Sequence, residues 1–224
     1  MPRTPEPAPL PDGVSTLPAF LHWLGDIPAD RILVRPPPGM ATANDVLRVA
    51  RQDNRMCECV DGTLIEKRLG YREASIAGAL LAALEKHVAA KKLGVVTGAE
   101  GSYRLSNHLV RIPAAAFCAD RTFPGDTIPG EAAPDTIPQF VVEIPGSDST
   151  PGELARRLND YFEAGVKLIW VVDLDNREVH VHTSATKSKA VSASGTLETG
   201  RIVGGFKLPV ATLFEPFGPA KKKK

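Results

Sequence analysis

A single carboxylate inside an apolar strand constrains this chain more than any other feature. Pro138 opens the run Phe140-Val141-Val142-Glu143-Ile144, in which Glu143 is the lone charge. A strand that is apolar on both faces is one covered on both faces, and leaving a carboxylate unpaired there costs several kcal/mol. Three states are open to it. Glu143 can hold a divalent metal, pair with a buried cation such as Arg157 or Arg111, or lie on an edge strand in contact with water. Downstream, Gly152 to Ala164 has a helical pattern with Leu154, Leu158 and Tyr161 on one face, Gly165 stops it, and Leu168-Ile169-Trp170-Val171-Val172 is a second apolar strand. Strand, helix and strand within about thirty residues make a βαβ crossover. Its two strands should be parallel and its connection right-handed.

The remaining segments are read by the same rules. Leu17 to Leu24 is a short helix, and Thr42 or Asn44 can cap another carrying Val46, Leu47 and Val49. Cys57 to Val60 and Thr63 to Lys67, joined by Asp61-Gly62, form a hairpin. Ile76, Leu80, Leu84 and Val88 make the stripe of a long helix from Tyr71 to Lys91. Strands are expected at 95–97, 102–105 and 109–117, then a loop over 119–137 with Pro124, Pro129 and Pro134. A half-exposed strand at 178–182 follows, and a short terminal helix lies near Leu213. The fold class is therefore α/β, with an α+β mixed sheet, a long helix on one side and the βαβ crossover elsewhere. The chain divides into a proline-rich tail (1–13), a helical arm (14–55), the main domain (56–217) and a basic tail (218–224).

Length and composition bound the rest. At 224 residues and 43% apolar the chain supports a substantial core. A net charge of +1 excludes a global basic signature, so any nucleic-acid surface would be a local patch. Cys57, Cys59 and Cys118 are odd in number, and residues 1–13 are proline-rich rather than apolar. Free thiols in a reducing cytoplasm are expected. No apolar stretch approaches the roughly 18 residues of a membrane span. Cys57-x-Cys59 lacks the second pair that zinc needs, and His180-x-His182 reads as the solvent face of a hairpin.

Two further side chains could join Glu143. Glu73 falls on the Ile76, Leu80, Leu84 face in the first helical turn. It either stabilises the helix N-terminus, worth about 0.3–1 kcal/mol, or serves a metal site as an outer ligand or water-orienting group. Arg157 lies on the apolar stripe of the crossover helix. It either snorkels outward or reaches across the C-terminal end of the Glu143 strand.

These segments carry a resemblance. Gly25-Asp26-Ile27-Pro28, Cys59-Val60-Asp61-Gly62 with Ile65-Glu66-Lys67, Arg72-Glu73-Ala74-Ser75, Val110-Arg111-Ile112-Pro113, Val141-Val142-Glu143-Ile144, Tyr161-Phe162-Glu163-Ala164-Gly165-Val166 and Ile169-Trp170-Val171-Val172-Asp173 resemble, in order and spacing, the Uma-two family of endonucleases. That family belongs to the PD-(D/E)XK restriction-endonuclease-like superfamily, and the resemblance runs from about residue 20 to 216. It implies a restriction-endonuclease-like core and a DNA phosphodiesterase dependent on Mg²⁺, or on Mn²⁺ in its place. It also implies, by analogy with nucleases that cut two strands, a homodimer. Carried over, Glu73 is the helix carboxylate and Glu143 the strand carboxylate, both as metal ligands. The aspartate of the Pro-Asp pair falls at Ala114, and the lysine that steadies the attacking water falls at Arg157. Two of the four positions therefore depart from the pattern, and Pro145 stands two after Glu143, where the superfamily more often has lysine.

The departures have different physical weight. An alanine at 114 removes a hard oxygen ligand that Mg²⁺ strongly prefers. Asp120, six residues on, is about 20 Å away along an extended chain. Arginine at 157 keeps the charge but cannot shed a proton usefully. Metal-assisted hydrolysis needs charge neutralisation and an activated water, so activity is expected to be weak or lost. The alternative is an inactive module that uses the same cleft to hold nucleic acid or a partner chain.

Overall fold

The structure, a computed structural model, describes residues 7, 8, 10–68, 70–120 and 133–217. The basic tail, most of the proline-rich tail and most of the 119–137 loop lie outside the described residues.

The strand that holds Glu143, β8 (Phe140–Glu143), is central to a mixed sheet. The crossover helix α4 (Pro151–Ala164) leads from it to β9 (Leu168–Asp173), and the two strands are parallel, with Glu143 beside Val171. On one side of the pair, β10 (Glu178–Ser184) and β11 (Lys187–Val191) continue the sheet as an antiparallel hairpin. On the other side, β7 (Ala115–Ala119) and β4 (Gly94–Thr97) complete it, again antiparallel. Period-two alternation decides what each face meets. Phe140, Val142 and Trp170 pack against Ile76, Leu80 and Leu84 of α3 (Tyr71–Lys91). Val141, Ile169 and Val171 pack against Leu158 and Tyr161 of α4. Glu143 shares the parity of Val141 and so belongs to the α4 face.

A second, antiparallel sheet lies over that face. Its strands are β1 (Ile32–Leu33), β3 (Thr63–Glu66), β2 (Cys57–Val60), β6 (Leu109–Arg111) and β5 (Tyr103–Ser106), in that spatial order. The β2–β3 turn has positive φ at both Asp61 and Gly62, the backbone that Asp-Gly favours in two-residue hairpins. Cys57, Cys59 and Leu64 pack on α2 (Ala43–Asp53), whose N-terminus is closed by a Thr42–Asp45 capping box. Val60 and Ile65, on the opposite face, meet α1 (Leu17–Trp23) through Phe20 and Leu24. Segment 14–55, expected as an arm, thus supplies a helix to each face of this sheet and a strand to its edge. Near the C-terminus, β12 (Thr196–Glu198) pairs with β13 (Lys207–Pro209), and α5 (Val210–Phe214) packs beside α3.

One expectation is corrected. The strand read from Leu109 to Phe117 is two strands, β6 and β7, in two different sheets. Pro113 has no N–H to donate to a ladder, and the Ile112 N–H donates instead to the Glu58 carboxylate at 2.9 Å. The chain therefore leaves one sheet at Arg111 and joins the other at Ala115.

The join between the sheets is tightened where α1 meets the start of α4. Thr150 caps α4, accepting from the Glu153 N–H at 3.0 Å and donating to the Gly25 carbonyl. Gly25 has φ +94°, and a Cβ there would stand 2.5 Å from Gly152 backbone. Gly25→Ala is expected to destabilise the protein by at least about 2 kcal/mol in urea unfolding, from clash and left-handed strain together. Gly200→Ala, also at positive φ but facing open space, should cost about 1 kcal/mol.

Candidate functional site

The two sheets meet across charge rather than across hydrocarbon. Glu143 is 3% exposed. Its Oε1 accepts from the Tyr161 hydroxyl at 2.7 Å and from Arg157 Nη1 at 3.4 Å, and Lys67 Nζ lies 3.8 Å from its Oε2. Arg157 belongs to the helix after Glu143, and it reaches back across the end of β8, the second of the two postures open to it. Of the three states open to Glu143, pairing with a buried cation is the one adopted. Arg111, the other candidate partner, is engaged elsewhere, with Glu58 and Asp160.

Glu58 is the hub that the sequence reading missed. It is 1% exposed on β2. The register pairing Cys59 with Val110 and Val60 with Leu109, continued by one residue, sets Glu58 across from Arg111. Arg111 Nη1 donates to Glu58 Oε2 at 2.7 Å, and Arg157 Nη1 and the Ile112 N–H donate to Oε1 at 2.6 and 2.9 Å. Glu153, one turn before Arg157, accepts from Arg157 Nη2 at 3.1 Å. It also takes a two-pronged contact from Arg31 at 2.8 Å on each oxygen. Lys67, on the same sheet face as Ile65 and Glu58, donates to the Ile112 carbonyl and stands 4.0 Å from Glu58. Glu153, Arg157, Asp160 and Tyr161 form one stripe of α4, and that stripe faces the second sheet. Together Arg31, Lys67, Arg111 and Arg157 face Glu58, Glu143, Glu153 and Asp160, and at the rim Asp148 stands 3.8 Å from Arg31 and 4.0 Å from Arg68.

The ionisation of these groups follows from that geometry. Burial alone would raise the Glu58 pKa, but the Arg157 and Arg111 guanidiniums, Lys67 and the Ile112 N–H outweigh it and hold the carboxyl far below the ordinary range. Burial likewise opposes ionisation of Glu153, and the hydrogen bonds and charge of Arg31 and Arg157 reverse it. Burial lowers the Lys67 pKa against the pull of Glu143 and Glu58. Burial and then the Glu143 charge push Tyr161 well above its usual value, so it remains a donor.

Ala114 and Glu73 sit apart from this cluster. Ala114 is buried at the entry to β7, where its N–H donates to the Val142 carbonyl. Its methyl packs with Ile76 and Ala115 in the core on the α3 side. Glu73 is half-buried in the first turn of α3 and lines a neighbouring cleft of about 390 Å³ with Arg72, Asp173 and His180. Pro145, Gly146 and Leu154 line both that cleft and the cavity beside Glu143. Glu73 and Glu143 thus line two adjoining spaces. In Glu73's cleft, Asp173, Glu178 and His180 bring potential ligand atoms within 4.8 Å of one another. His180 is half-buried and 3.1 Å from Glu178, not a free solvent-facing imidazole.

A hydrated divalent ion does not fit beside Glu143 as the residues stand. Mg²⁺ requires six oxygens in a near-octahedral shell. Here Glu143 Oε1 already accepts two hydrogen bonds, both Glu58 oxygens accept donors of their own, and an ammonium stands beside Glu143 Oε2. The cavity lined by Glu143, Lys67, Arg157, Arg31 and Glu153 measures about 30 Å³, room for roughly one water.

Charged residues inside apolar strands were the available signal for the rest. Glu58 in Cys57-Glu58-Cys59-Val60 and Arg111 in Val110-Arg111-Ile112 repeat the pattern that singled out Glu143. Arg31 carries no local signal, since it comes from an irregular segment and meets Glu153 across 122 residues.

Comparison with known proteins follows the same outline. A family model, Uma2, described as "Putative restriction endonuclease", matches residues 43–211. The structure resembles that of a nuclease, itself titled putative and assigned to DUF820, from Anabaena variabilis. The TM-score is 0.66 at 15% identity, covering 78% of this chain and 97% of that one. At that identity the likeness shows a shared fold. No curated protein matches the chain.

Removing one member of the ion cluster should be costly. Arg157→Met is expected to lose about 3–5 kcal/mol of unfolding free energy, because it strands carboxylates already out of water. The double variant Glu58→Gln/Arg157→Met should lose less than the sum of its parts, as a double-mutant cycle would measure. Stability should also depend on acid. Because the folded pKa of Glu58 is depressed, its contribution is complete above the ordinary carboxylate value of about 4.3 and is lost as pH falls below it. The stability curve of Glu58→Gln should be flatter in that range.

Proposed function

Since this chain belongs to the Uma2 family, we propose that it is a nuclease-fold protein with a degenerate active site. In this reading it is related to Mg²⁺-dependent DNA endonucleases, and its own hydrolysis of phosphodiester bonds is weak or lost. One observation carries the reading: the cations that neutralise Glu143 are the chain's own Arg157 and Lys67, while a methyl group stands at 114. A nuclease site needs a metal-held water and a means of neutralising developing charge on phosphate. The closed ion network supplies neither an open coordination position nor space for a phosphate beside Glu143.

The same closure favours, as a second reading, an inactive binding or assembly module. Arg68, half exposed at the rim of the small cavity, pairs with Asp30, Glu66 and Asp148, all partly exposed, and can exchange them for a DNA backbone or an acidic partner surface. Catalysis and binding then separate experimentally.

Supercoiled plasmid is incubated with the protein in Mg²⁺ or Mn²⁺. Wild type is expected to nick no faster than Glu143→Ala. Rapid metal-dependent nicking that Glu143→Ala abolishes would overturn the degenerate-site reading. Fluorescence anisotropy with a labelled duplex at low salt then tests DNA as the partner, and affinity should fall steeply as salt rises. No binding at low salt would remove DNA from either reading.

A further inference from the structure

We infer that the Lys67 ammonium is the resident cation of this site and stands where a divalent metal would otherwise sit. The inference deepens the degenerate-site reading and rests on it only for the origin of the seat. Three oxygen groups from three elements converge on the Lys67 Nζ: the Ile112 carbonyl, which it donates to, Glu143 Oε2 at 3.8 Å and Glu58 Oε1 at 4.0 Å. Two carboxylates and a backbone carbonyl are the hard-oxygen set a cation such as Mg²⁺ or Mn²⁺ selects. The ammonium donates to the Ile112 carbonyl and faces both carboxylates at ion-pair distance. Its stem enters from the end of β3, a strand of the other sheet, and is 11% exposed. The seat is therefore filled by covalent attachment, at an effective concentration no dissolved ion can match.

The methyl of Ala114 belongs to the apolar core on the α3 side, with Ile76 and Ala115, and adds no charge to the cluster. The cluster already supplies its own cations: Arg31, Lys67, Arg111 and Arg157 lie against Glu58, Glu143, Glu153 and Asp160, and Arg68 at the rim pairs with Asp148 at 4.0 Å. A divalent ion entering beside Lys67 would face the ammonium and Arg157 at close range without a ligand to spare.

The test counts bound ions rather than activity. Mn²⁺ binding is followed by electron paramagnetic resonance, in a His180→Ala background that silences the Asp173–Glu178–His180 group. Wild type and Glu143→Gln should bind Mn²⁺ equally poorly. Lys67→Ala should gain a site at least about tenfold tighter, about 1.4 kcal/mol. That gain should vanish in Lys67→Ala/Glu143→Gln, and Mn²⁺ should raise the melting temperature of Lys67→Ala but not of wild type. If Lys67→Ala does not fold, Lys67→Gln retains most of the stem and gives the same comparison. A Glu143-dependent Mn²⁺ site in wild type would overturn the inference, as would a folded Lys67 variant with no gain. The first of those outcomes, joined to nicking that Lys67→Ala abolishes, would make Lys67 a water-activating lysine instead. Nicking by wild type with no Glu143-dependent Mn²⁺ site would defeat the proposed function and leave the inference on Lys67 standing.

Discussion

Everything in this structure turns on the guanidinium of Arg157. It touches Glu58 of one sheet, Glu143 of the other and Glu153 of its own helix. Without it, three carboxylates that have been taken out of water would face each other across the sheet interface. With it, and with Arg31, Lys67 and Arg111, the carboxylates of Glu58, Glu143, Glu153 and Asp160 each face a cation. Such a cluster is not a strong source of stability, because the same volume filled with hydrocarbon is often as stable. Its role is positional: it allows one docking of the second sheet on α4, since other arrangements strand a charge.

The chain belongs to the Uma2 family, and in its structure Glu143 is engaged by Arg157, Tyr161 and Lys67. A metal-dependent hydrolase keeps uncompensated negative charge and open coordination so that an ion and a water can enter. Here the negative charge is still present in Glu58 and Glu143, but guanidinium and ammonium groups delivered from α4 and β3 compensate it. The remaining cavity holds about one water. Arginine is suited to this task because it stays charged when buried and offers a fork of donors to several oxygens at once.

Much of the scaffold was legible in the sequence. The α3 stripe, the Gly165 stop after α4, the Asp61-Gly62 hairpin and the βαβ crossover each follow from local periodicity or turn chemistry, and each stands where it was read. The break at Pro113 was missed because the Leu109–Phe117 pattern stays apolar while the chain changes sheets. In the site, Glu143 and Arg157 were visible because each interrupts an apolar pattern. Glu58 interrupts one too, but its strand is only four residues long. Arg31 had no local signature, because its partner Glu153 lies 122 residues away, and Lys67 stands at the polar end of its hairpin strand, where a lysine is unremarkable. Glu73 shares the face of Ile76 and Leu80, and that face meets the other side of the sheet from Glu143. Helical periodicity fixes which side of α3 is inward but not which face of the strand it covers.

The most direct test is anomalous diffraction from crystals of the wild-type protein soaked in Mn²⁺. The expected map shows no anomalous peak within coordination distance of Glu143, with continuous density placing the Lys67 Nζ between Glu143, Glu58 and the Ile112 carbonyl. An anomalous peak bound to the Glu143 carboxylate, with Lys67 turned out of the site, would contradict the view that the chain supplies its own cation.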